Sequence, residues 1–151
     1  MAINPNTNFS VSAVYTADQA NRFPRGVMAY TQKTSSFTMT GTLADVGVSV
    51  TFTAEANRYY RYTAYAFASD ASSPSSINLT IANSANTIIS DGLVRTQGTG
   101  QYQGIKTIKV TTETAGTVVR KLRASSSSGS GTMYASAESP IFLLVEDIGP
   151  A

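Results

Sequence analysis

The chain has 151 residues and a net charge of +2, with no cysteine, histidine or tryptophan. The length suits one domain with its own core; the missing residue types exclude disulfides, thiolate chemistry, and the commonest general base and metal ligand. Only 13% of residues are charged, about half the usual share, and the basic ones are scattered, unlike those of a dedicated nucleic-acid binder.

The opening stretch, MAINPNTNFSVSAVYT, lacks the basic and apolar segments of a secretory leader. It shows no period, and Phe9, Val14 and Tyr15 stand as isolated apolar points. An extended arm is expected. Thr16 followed by Gln19 is a capping-box spacing and predicts one short helix to about Arg22 or Phe23. Pro24 ends it, because the residue before a proline leaves the helical region. The arm is therefore assigned to residues 1–25 and a β-domain to 26–151.

From Gly26 the apolar period is two. GVMAYTQ and SSFTMTG read as strands, and in VGVSVTFTA the residues Val46, Val48, Val50 and Phe52 share one face. RYYRYTAYAFA has the strongest strand composition. INLTIAN follows, then NTIISDGL, whose Asp91–Gly92 is a turn signal. IKTIKVTTE, TVVRKLRAS, TMYASA and IFLLVED complete the set. TAGT reads as a hairpin turn and SSSSGSG as a flexible connection or loop tip. About nine or ten short strands separated by turns predict an all-β antiparallel sandwich of jelly-roll type, ahead of an immunoglobulin-like one.

Two segments raise a functional question. In IFLLVED, Ile141, Leu143 and Val145 fall on one face, Phe142 and Leu144 on the other. A strand apolar on both faces needs cover on both, which makes Phe142 and Leu144 candidate subunit-interface residues. In RYYRY, Arg58, Tyr60 and Tyr62 share a face. They are either a stacking surface for a ligand or a tyrosine-rich sheet face covered by the arginine stem, and the second reading is preferred. GTGQYQG lacks phosphate-loop spacing, no G-x-S-x-G elbow occurs, and no two carboxylates are placed to converge on a bond. No enzyme activity, cofactor, metal, membrane or specific nucleic acid is expected. No window approaches a membrane span of 18 apolar residues.

YTADQANRFPRGVMAY, VTFTAEANRYYRYTAYA and SPIFLLVEDIGP resemble segments of small structural proteins of tailed bacteriophages, particularly those of actinobacteria. The resemblance implies a virion protein made in a bacterial cytoplasm, a minor tail or capsid-decoration protein that is commonly trimeric. Its expected partners are copies of itself and other capsid or tail proteins. Phe9, Val14, Tyr15, Phe23 and Pro24 would then be the docking residues of the arm. A receptor- or glycan-binding tail-tip module is the alternative.

Overall fold

The computed structural model describes residues 21–72, 74–97 and 99–151. The arm residues Phe9, Val14 and Tyr15 and the expected helix up to residue 20 lie outside them; of that helix the described end is Asn21, which is helical, and Arg22, where the chain turns. Among the described residues ten strands form: β1 (Gly26–Lys33), β2 (Phe37–Thr38), β3 (Ala44–Ala54), β4 (Arg58–Asp70), β5 (Ser75–Asn83), β6 (Ile88–Thr96), β7 (Gln103–Thr112), β8 (Gly116–Ser126), β9 (Gly131–Tyr134) and β10 (Ile141–Pro150).

One sheet runs β1–β10–β4–β7, with β9 and β2 continuing the positions of β10 and β1. The other runs β3–β8–β5–β6. β1 pairs with β10, β3 with β8, β4 with β7 and β5 with β6, all antiparallel. That nested pairing is a long hairpin rolled into two sheets, the jelly roll. It corrects one local expectation. TAGT does not close a hairpin, since it carries the chain from β7 in the first sheet to β8 in the second.

Alternation places the core. Val46, Val48, Val50 and Phe52 of β3 face Tyr60, Tyr62, Ala64 and Ala66 of β4 and Ile141, Leu143 and Val145 of β10 across the sandwich, and all are buried. Each fully buried aliphatic contributes about 1.5–3 kcal/mol. Asp91–Gly92 departs from expectation, lying within β6 rather than ending it. The reason is space: a Cβ on Gly92 would sit 2.9 Å from the Lys106 carbonyl oxygen of β7. Glycine is there for a close approach between sheets, not for a turn.

Of the two readings of SSSSGSG, the loop tip holds, for it turns the chain from β8 to β9, and it is no free linker. Asp70, fully buried at the end of β4, accepts hydrogen bonds from Ser126, from Ser128 at 2.7 Å, from Ser75 at 2.7 Å and from the Ser72 backbone N–H at 2.8 Å. Burial pushes its carboxyl up, but the donors from Ser126, Ser128, Ser72 and Ser75 outweigh that and hold it well below the usual carboxylate range. A carboxyl depressed on folding stabilises the native state above its unfolded value, about 3.9, and that contribution fades as pH falls through the folded value. Asp70→Asn should therefore cost about 2 kcal/mol at neutral pH. In urea titrations its deficit should shrink steadily below about pH 4. A deficit that stayed constant into acid would show that the carboxylate charge is not what the serines hold.

Candidate functional site

Neither the ligand-stacking surface nor the preferred arginine-covered sheet face describes Arg58, Tyr60 and Tyr62. Arg58, Tyr60 and Tyr62 sit on the inner face of β4, buried at 4%, 0% and 0% exposure. Tyr60 packs on Phe52 with ring centroids 5.2 Å apart, and its hydroxyl accepts from the Glu55 N–H at 2.8 Å. Tyr62 donates to Glu113 at 2.5 Å; burial first, then that hydrogen bond, raises its phenol well above the ordinary value. Arg58 is buried because it has partners for its donors. It pairs with the buried Asp147 of β10 through Nε and through Nη2 at 2.8 Å. It also donates to the carbonyls of Asn21 and Phe23, each at 2.7 Å.

Those last two bonds fasten the root of the arm. Phe23 is half-buried and Pro24 exposed, and Arg25 pairs with Glu55. Residues 21–25 therefore lie bonded along the β-sandwich, and any free docking segment must precede them.

The two outer faces of the sandwich differ in chemistry. On the β3–β8 side, Gly47, Ser49, Thr51 and Thr53 point out beside Lys121 and Arg123, which pair with Asp45 at 2.8 and 3.0 Å. The Lys121 hydrogen bond lowers the Asp45 carboxyl against the opposing effect of burial. The outer face of the β1–β10–β4–β7 sheet is aromatic and aliphatic instead. Strand register lines up three rows across it: Tyr30–Leu144–Thr63–Ile108, Gln32–Phe142–Tyr65–Lys106, and Val27–Glu146–Arg61–Val110. Phe142 lies between Tyr30 at 5.9 Å and Tyr65 at 6.1 Å, and Tyr65 meets Phe67 edge-on at 5.2 Å. Tyr30 and Ile108 are each half exposed and Val27 is 63% exposed. The only charges in these rows besides Lys106 are Arg61 and Glu146, which neutralise each other through two hydrogen bonds of 2.9 Å.

Phe142 and Leu144 thus lie where the sequence put them, on the second face of β10, each half-buried by its neighbours. The rest of the face was missed. Its signal was the other alternate set of the tyrosine-rich run, in which Tyr65 and Phe67 point opposite to Tyr60 and Tyr62. Beyond Phe67, Tyr134 and Tyr102 continue the aromatic series with centroids 4.6 Å apart, and the hydrogen bond that the Tyr102 hydroxyl donates to Tyr134 raises the Tyr102 phenol.

Neither a protein-family model nor a curated protein matches the chain. Among solved structures it is similar to Eiger TNF from S. frugiperda, with 12% identity and a TM-score of 0.55 over 86% of this chain and 96% of that one. It is also similar to the N-terminal CBM22-1–GH10 modules of a Clostridium thermocellum endo-1,4-β-D-xylanase, with 9% identity, a TM-score of 0.38, and coverage of 84% of this chain and 29% of that one. A third likeness is to the enzymatically active domain of tailspike protein 4 of bacteriophage CBA120, with 12% identity, a TM-score of 0.32, and coverage of 79% and 19%. The last two cover small parts of larger chains and carry no functional argument. The first shows the fold alone: this chain is a jelly-roll β-sandwich.

Proposed function

We propose that the chain is a non-enzymatic structural protein of a tailed-bacteriophage particle, placed on capsid or tail. It associates with copies of itself as a trimer and docks on neighbouring particle proteins through the segment before residue 21. The observation that carries this reading is the contrast between the two sheet faces, one polar along β3 and β8, with Leu93 of β6 as an isolated exposed apolar residue, and one lined by the neighbouring Tyr30, Phe142, Leu144, Tyr65 and Ile108. Large contiguous apolar patches on soluble proteins mark interaction sites. The low charge content supports a protein packed among neighbours, and the phage-like segments support the particle.

A threefold arrangement suits how the face is laid out. Its apolar residues extend to both flanks, Val27 and Tyr30 on β1 and Ile108 and Val110 on β7. In a closed ring the β1 flank of one copy covers the β7 flank of the next, so every copy is covered equally. An interface of about 800 Å² per partner is ordinary for stable association.

The arm is tested by removing residues 1–20 and leaving Asn21–Arg25, which Arg58 and Glu55 hold. The truncated chain is expected to keep its β fold and assembled mass but to be missing from purified particles. Incorporation at the full-length level would refute the docking role of that segment.

A further inference from the structure

Arg58 and Phe67 lie nine residues apart on β4, roughly 30 Å along an extended strand. The arm root is held at the Arg58 end, and a concave aromatic site lies at the other. Phe67, Tyr134 beside it on β9, and Tyr102 from the β6–β7 connection wall an open cleft of about 480 Å³ with Ala135, Ser136 and Ser139. That volume is in the range of small-ligand sites, about 300–1,000 Å³. Tyr102 is 62% exposed, and Phe67 and Tyr134 are 37% exposed.

Tyr134 also borders a second cleft of about 240 Å³, whose wall includes Ser69, Thr99, Ser130 and Thr132. Rings therefore stand on one side of Tyr134 and hydroxyls on the other. Among the described residues no lysine or arginine lines either cleft, and the carboxylate of Asp70 beside the second is already taken by Ser75, Ser126 and Ser128.

We infer that this end of the sandwich binds a neutral carbohydrate. A pyranose ring has apolar C–H faces and a rim of hydroxyls. The faces stack on Tyr102, Tyr134 and Phe67, and the rim reaches the serine and threonine hydroxyls. A phosphorylated, sulfated or nucleic-acid ligand would find no cation among the described residues of the wall. The site's outward position on a particle rests on the arm docking proposed above; the binding itself does not.

The test uses the full chain on a printed array of neutral oligosaccharides, with sialylated and sulfated ones as charged controls, followed by calorimetric titration of the sugars retained. Neutral sugars should be held over the charged ones. Tyr102→Ala should weaken binding about tenfold, Tyr102→Phe should keep most of it, and Tyr59→Ala, at the arm-root end of β4, should leave it unchanged. The inference is overturned if no neutral sugar is held over the controls, or if Tyr102→Ala binds as the wild type does. It is also overturned if Tyr102→Ala lowers the assembled mass, for the cleft would then be a contact between copies. The wild-type mass in the same samples separates the two proposals. Sugar binding by single chains would refute the trimer alone, and a trimer that holds no sugar would refute this site alone.

Discussion

Leu144→Asp is expected to convert the proposed trimer into single, folded chains. Leu144 lies in the middle row of the apolar face, between Tyr30 on β1 and Thr63 on β4. Its side chain points away from the core, which β10 fills with Ile141, Leu143 and Val145. The substitution therefore leaves the interior intact and places a carboxylate where copies would meet. Burying an unpaired charge in such a contact costs at least about 2 kcal/mol beyond the lost leucine, as truncating a central hot spot does. That is a thirtyfold or greater loss of affinity per contact, on the order of what separates an assembled state from a dissociated one at micromolar protein. Sedimentation velocity should show the mass fall while the far-ultraviolet circular dichroism stays that of the wild type. An unchanged mass with the fold intact would remove β10 from the interface.

Arg58→Met should lower stability by about 3–5 kcal/mol. Arg58 and Asp147 are nearly inaccessible to water, and each supplies the other's counter-charge. Removing the guanidinium leaves the Asp147 carboxylate buried with the Gly149 N–H, at 2.9 Å, as its remaining donor among the described residues. It also frees the carbonyls of Asn21 and Phe23, so the arm root should loosen along with the core. The double variant Arg58→Met with Asp147→Leu removes both charges and should recover a large part of the loss, because a matched apolar pair avoids the desolvation that the ion pair must overcome. Urea denaturation of both single variants and the double closes the cycle. A loss under about 1 kcal/mol for Arg58→Met would mean that the pair is solvated and that Arg58 does not clamp the arm.

Period-two patterning made most of the sandwich legible. Val46, Val48, Val50 and Phe52 announced the core face of β3, and the uninterrupted apolar run of β10 announced a strand with two faces to cover. What failed depended on partners distant in sequence. Arg58 shares a face with Tyr60 and Tyr62, and an arginine there suggests a surface until Asp147, 89 residues away, supplies its counter-charge. The serine run looked flexible because Asp70, 58 residues before Ser128, is invisible in local composition. Gly92 mimicked a turn because close packing between sheets and a tight bend select the same residue. The aromatic cleft joins a loop residue to the last residue of a short strand, Tyr102 to Tyr134, and no local period links such positions.

The central claim is that copies of this chain cover one another's aromatic sheet face. Its most direct test is the absolute mass of the purified wild-type chain by multi-angle light scattering. The account predicts three times the 15.9 kDa of one chain. A mass of one chain, held as concentration rises through tens of micromolar, would contradict it.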